Sequence, residues 1–227
     1  IIRAFKNVRF YKTDMSGKCD SIHSDTKTSL TKLIGNPILW NGESQITGDI
    51  MHLIGDKTTQ KLDSLKVLNN TFIVSKDTIG KGYNQVKGQN LFGKFLEGKL
   101  HDVDIIKNTE VIYYMRNDAQ ELIGINKNVS SKINIIFDKN EIEDITFFNN
   151  VDGTIYPEKD LAEPDRKLRG MVWRGDERIK SKDDIFPPEE NIENDKLVKQ
   201  GKDEEAKKNV PMKVRKETLN YDKKKKK

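Results

Sequence analysis

The sequence predicts an all-β protein made of a repeated antiparallel unit. Three observations carry this. Runs rich in Val, Ile, Phe, Tyr and Thr alternate apolar and polar residues, as in Leu65/Val67, Val103/Ile105, Ile145/Phe147 and Ile133/Ile135/Phe137. One such phrase recurs: KLDSLKVLNNTFIVSKD at 61–77 returns at 99–118 and at 141–160. Short turn signals separate the runs: Gly55-Asp56, Asn69-Asn70, Glu97-Gly98 and Asp138-Lys139-Asn140.

The copies align on Asn70, Asn108 and Asn150. Leu62, Leu100 and Ile142 then share a column, as do Leu65, Val103 and Ile145, and as do Val67, Ile105 and Phe147. Leu68, Ile106 and Phe148 form a further apolar column, so both parities carry apolar residues before the asparagine. A glycine marker precedes each copy, at Gly48, Gly88 and Gly124. A fainter copy leads them, with Gly17 and then Gly35-Asn36. Successive asparagines are 34, 38 and 42 residues apart, a repeat length found in stacked architectures. Each unit supplies two or three short strands, and the whole makes about ten to thirteen, antiparallel because the turns are short. Residues 91–106 read as a hairpin about Glu97-Gly98, and 133–148 as one about Asp138-Lys139-Asn140.

These runs divide the chain into 1–160, the repeats; 161–188, a C-terminal strand at Leu168 to Trp173 with a capping segment; and 189–227, a charged low-complexity tail, disordered or partly helical. Alternation assigns Leu65, Val67, Val103, Ile105, Ile133, Ile135, Ile145 and Phe147 to the inward face, where a one-residue slip would exchange the faces.

The charge of +5 is concentrated at one end. Residues 187–227 hold 13 Lys/Arg against 9 Asp/Glu, leaving 28 against 27 in the rest. The body is near neutral and has no basic groove with interleaved aromatics, which argues against a nucleic-acid partner. No apolar run approaches the ~18–20 residues of a membrane helix. The chain begins at Ile1 without a basic leader, so it reads as a mature product or a fragment. Cys19 is the one cysteine and reads as a buried spectator thiol.

No catalytic or metal constellation stands out. His23, His52 and His101 occupy different repeat positions, without ligand spacing. Asp102, Asp104, Glu141, Glu143 and Asp144 fall on polar strand faces. Gly48, Gly88 and Gly124 lack the phosphate-loop pattern and read as bulges or bends. Arg174-Gly175-Asp176 is a common tripeptide, and Asn69-Asn70-Thr71 and Asn128-Val129-Ser130 fit a glycosylation pattern that matters only in a secretory eukaryote. What remains is an apolar face along stacked strands. It is either a closed sandwich core, serving a structural or interaction scaffold, or a face that opens to hold something apolar. A glycan hydrolase would need Asp102 and Asp144 in one groove.

The phrases NPILWNGESQITGD (36–49), LDSLKVLNN (62–70), KNTEVIYYMRND (107–118), VDGTIYPEKD (151–160) and LRGMVWRGDERIKSKDDIFP (168–187) resemble the OstA-like, LptA-type proteins over about residues 5–187. The likeness is to the longer OstA-like proteins of a Gram-negative branch rather than to the short periplasmic form. It implies a β-jellyroll, a folded-over antiparallel sheet with an apolar interior. It implies periplasmic transport of lipopolysaccharide to the outer membrane, with acyl chains held between the sheet faces. The eight inward residues would then be lipid-binding. The implied partners are lipopolysaccharide (lipid A) and other jellyroll proteins joined edge to edge, inner-membrane LptC-like, outer-membrane LptD-like, or a second copy. No catalytic residue, cofactor or metal is implied. The chain starts inside the family's domain, and the charged tail lies outside the family's pattern.

Overall fold

The computed structural model describes residues 1–13, 15–59, 61–138 and 141–186. Within Ile1–Ile185, twelve strands form one antiparallel sheet: β1 (Ile2–Lys12), β2 (Met15–Asp25), β3 (Leu30–Ile34), β4 (Ile38–Asn41), β5 (Ser44–Thr47), β6 (Ile50–Gly55), β7 (Leu62–Lys76), β8 (Tyr83–Leu96), β9 (Lys99–Arg116), β10 (Leu122–Asp138), β11 (Glu141–Phe148) and β12 (Asp152–Tyr156). This is the all-β, antiparallel fold the repeats predict. The hairpin at Glu97-Gly98 is present, with both residues in the left-handed region. The second hairpin also forms, pairing Asp138 with Glu141, although its loop lies outside the described residues. The expected tail over 189–227 lies outside them too.

The long strands are interrupted along one shared column, marked by the repeat asparagines and, on β8 and β10, by Gln89 and Ser131. Pairs with positive φ stand at Lys6-Asn7, Gly35-Asn36, Asn69-Asn70, Lys107-Asn108 and Asn149-Asn150. Left-handed backbone costs most residues energy, and Asn tolerates it because its short amide bonds locally. The ladder register shifts at these pairs, between Phe5 and Val8 and between Leu68 and Thr71, so two residues oppose one neighbour. The neighbours close the corner with backbone bonds: Asp20 N–H donates to Gly35 O at 2.9 Å, Asp49 N–H to Asn69 O at 3.1 Å, and Ser131 N–H to Asn149 O at 3.0 Å. The Asn70 amide also donates to both carboxylate oxygens of Asp49 at 3.0 Å.

This corner column divides the sheet into two arms. The first arm holds β3, β6, β11 and residues 62–68, 90–96, 99–106 and 132–138 of β7 to β10. The second holds β4, β5, β12 and residues 71–76, 83–87, 109–116 and 122–130 of the same strands. Inward residues from both arms meet in one apolar cluster, which includes Leu33, Met51, Leu91 and Ile133 from the first and Leu39, Ile46, Ile73, Val86 and Val111 from the second. The arms therefore lie face to face, as a sheet folded over on itself.

Two sequence expectations need correction. Gly48 and Gly88 stand at the corner, where a Cβ would meet Val67 Cγ1 at 2.2 Å and Ile105 Cγ2 at 2.5 Å. Gly124 does not. The equivalent position on β10 is Ser130, paired with Thr109, and Gly124 packs under Ile155 near the far end of the strand. Apolar residues two before a glycine are too common a signal to fix a register. Residues 168–173, expected as a strand, have none. After β12 the chain forms short 3-10 turns at Glu158–Asp160, Glu163–Arg166, Gly175–Glu177 and Asp183–Ile185. It runs back across the outer face of the second arm as a strap.

The strap lies over one row of paired residues: Ser16, Trp40, Gln45, Val74, Gln85, Ile112 and Lys127. Two buried glutamines in this row hold its backbone. Gln85 Nε2 donates to Arg166 O at 2.8 Å and its Oε1 accepts from Leu168 N–H at 2.8 Å. Gln45 Nε2 donates to Val172 O at 2.6 Å and its Oε1 accepts from Arg174 N–H at 2.7 Å. A primary amide matches a peptide group in donors and acceptors, so each glutamine stands in for a missing neighbouring strand. Leu161 and Leu168 seal the strap onto Phe72, Val74, Ile112, Tyr114 and Ile125.

Candidate functional site

The first arm presents two apolar rows to the interior, read across paired strands. One runs Leu33, Met51, Val67, Leu91, Ile105, Ile133, Phe147. The next runs Leu53, Leu65, Gly93, Val103, Ile135, Ile145. All eight residues assigned to the inward face belong to these rows. Leu65, Val67, Val103, Ile105, Ile133 and Ile135 are at most 1% exposed. Ile145 and Phe147, on the last strand, are partly buried against the same cluster. Leu68, Ile106 and Phe148 point to the other face, just before the corner. Phe148 is 39% exposed there, 5.2 Å from the Lys132 ammonium.

The second arm is built differently. Past the small corner residues Thr71, Gly88, Thr109 and Ser130, its first row is apolar: Leu39, Ile46, Ile73, Val86, Val111, then Asn128. Its next inward row, toward the free end, is polar: Asn41, Ser44, Ser75, Asn84, Tyr113, Asn126. Sequence reasoning missed this row because it ran along strands, and the pattern runs across them. A cavity of about 630 Å³ opens here, lined by Ser44, Ser75, Asn84 and Tyr113 of the second arm and by Ile142 of the first. It lies at the mouth between the arms.

Ionisable groups line the rim of this cavity: Glu43, Lys76, Asp77, Arg116 and Asp118. Asp77 and Arg116 form an ion pair of 2.6 Å at the free end of the second arm. Burial of Asp77 pushes its carboxyl up, but the Arg116 bond and the Gly80 and Ile79 N–H groups outweigh it and hold the carboxyl below its usual range. On the strap, Glu177 bonds Arg174 at 2.7 Å and Lys18 at 2.6 Å, which lowers its carboxyl to about 2. His101 Nδ1 lies 2.8 Å from Phe137 O, and burial lowers His52. Burial raises the Cys19 thiol, as expected for a spectator. The Asn134 amide donates to Asp102 at 2.7 Å and Asp104 at 3.0 Å on the outward face. Within β11, Asp144 accepts from the Thr146 hydroxyl at 2.8 Å. Among the described residues, no three His, Cys, Asp or Glu side chains form a group that could hold a metal ion. No described helix is long and apolar enough to cross a membrane.

Fold and site together define a folded-over antiparallel sheet with an apolar interior between its arms. A solved structure similar to this chain is LptH from Pseudomonas aeruginosa, described as the LptA homologous periplasmic component of the lipopolysaccharide transport device. It is 16% identical, with 64% of this chain and 100% of that chain covered, at a TM-score of 0.47. No family profile matches the chain, and no curated protein matches it.

Proposed function

We propose that this chain is a non-enzymatic carrier of lipopolysaccharide in the periplasm, holding the acyl chains of lipid A between its arms. The observation that carries the reading is the unbroken pair of apolar rows from β3 and β6 to β11. A conduit needs such continuity, and a local core does not. Among the described pairings, β1 bonds only β2 and β11 only β10. An edge with unpaired N–H and C=O groups can add a strand from another jellyroll, which would extend the rows across the junction. The carrier would thereby link LptC-like and LptD-like partners, at the inner and outer membranes respectively, or a second copy of itself.

The interior is filled by the protein's own side chains, so a lipid would enter by parting the arms. No described strand pairing spans the mouth, and the arms share backbone only at the corner. Acyl chains would then cover the apolar surface that opening exposes. At about 0.8 kcal/mol per CH2, a dozen methylenes supply about 10 kcal/mol toward that opening.

A second reading is favoured by the near-zero exposure of those same residues: a scaffold with a permanently closed core. Photo-crosslinking residues placed at Ile105 and Phe147, with Lys66 as an outward control, decide between them. The transport reading expects lipopolysaccharide adducts in cells from the inward positions only. No adduct from any inward position overturns it and leaves the scaffold.

A further inference from the structure

We infer that the polar row at the mouth of the second arm is a subsite for the uncharged sugar of an amphiphile's headgroup. This rests on the reading of the interior as an amphiphile slot, and assigns the orientation in which the amphiphile lies.

The two arms differ where they face each other at their free ends. The first arm stays apolar to its tip, through Phe95, Leu100, Phe137 and Ile142. The second ends in hydroxyls and amides, one from each successive strand: Ser44 on β5, Ser75 on β7, Asn84 on β8 and Tyr113 on β9. Ser44 is buried and Ser75, Asn84 and Tyr113 are half-buried at the mouth, where a polar group costs free energy unless it is bonded. The groups meet this cost in part through local bonds. Ser44 and Ser75 share one hydroxyl–hydroxyl bond, and Asn84 Oδ1 accepts from Tyr114 N–H at 2.9 Å. A hydroxyl has one donor and two acceptor positions, so the serine pair keeps capacity facing the cavity.

The ligand chemistry follows from these groups. Hydroxyls and amides both donate and accept, which suits sugar hydroxyls. A phosphate would call for uncompensated positive charge. The rim does not offer it. Arg116 is paired with Asp77, Arg178 pairs with Glu43 at 3.0 Å, and Lys76 and Asp118 add one charge of each sign. From Ser44 to Tyr113 the row crosses three strand spacings, roughly 14 Å, room for more than one sugar ring. An amphiphile so held puts its sugar on the second arm and its chains against the first.

The test compares two detergents of equal chain length, dodecyl maltoside and dodecylphosphocholine, titrated calorimetrically below their critical micelle concentrations. Ser75→Ala and Tyr113→Phe should each weaken maltoside binding by about three- to tenfold and leave phosphocholine binding unchanged. Both variants remove a single hydroxyl, and a melting temperature close to that of the unsubstituted protein shows that each is folded. If one fails to fold, the other carries the test. Equal weakening for both heads, or no weakening for either, overturns the sugar subsite while the slot stands. If the unsubstituted protein binds neither detergent, the slot itself is overturned and the subsite with it.

Discussion

Replacing Gln85 with Leu should release the strap while the sheet stays folded. Gln85 is 1% exposed and bonds the strap twice, to Arg166 O and from Leu168 N–H. Leucine keeps much of the volume, so the cavity and overpacking terms are small. What is lost is the partner of two backbone groups under the strap. Taking about 1–2 kcal/mol for each group left without its partner, the lower part of the range for a buried polar group, places the effect at about 2–4 kcal/mol. The apolar anchors Leu161 and Leu168 remain, worth ~1.5–3 kcal/mol apiece. The strap therefore stays bound on average but opens roughly thirty to several hundred times more often. Hydrogen exchange reads this directly. The Met171 amide, bonded to Leu168 O at 3.0 Å, should exchange faster by that factor, while amides of β7 to β9 keep their protection. Unchanged exchange at Met171 would refute the clamp. So would a uniform loss of protection across the sheet, which would make the strap part of one cooperative unit.

Four further outcomes follow. Gly88→Ala would press a methyl onto Ile105 Cγ2, 2.5 Å away, and should lower stability by about 1–3 kcal/mol in a denaturant titration. Asn70→Val should cost about 1–2 kcal/mol because φ is +50° there, while Asn70→Gly should be tolerated apart from the lost bonds to Asp49. Ile105→Ala should cost about 2–5 kcal/mol, since Ile105 is 0% exposed in the shared cluster. The strap should also loosen in acid. The Glu177 carboxyl is held at about 2, below its ordinary 4.5, so its contribution is complete above the unfolded value and disappears as pH falls through the folded one. Strap protection factors, corrected for the pH dependence of intrinsic exchange, should fall in that window, and Glu177→Gln should reduce the fall.

The inward parity was only partly legible in the sequence: alternation is local and favoured one face, but Leu68, Ile106 and Phe148 left the other open. A strand turns its side chains over every second residue whatever it pairs with, so Leu65/Val67 and Ile133/Ile135 each share one face. The asparagine columns were legible as markers but not as corners. Their meaning comes from two consecutive left-handed residues, and Lys6-Asn7 and Lys107-Asn108 hide that signal behind a lysine. The strap departs from its local pattern, since Met171-Val172-Trp173 is a run of strand-favouring residues. The strap backbone's partners are side-chain amides 81 to 129 residues away, and no local pattern encodes those.

The sequence by itself determined an all-β repeat, a near-neutral body and a continuous apolar face, because composition and period-two patterning act through neighbouring residues. Only the tertiary structure decided that each long strand bends once and serves two arms. It alone set an apolar tip opposite a row of hydroxyls and amides, and carried the C-terminal segment back over the outer face. Those features exist across strands, where register joins residues that lie tens of positions apart, and the pairing that creates the rows forms only when the sheet does.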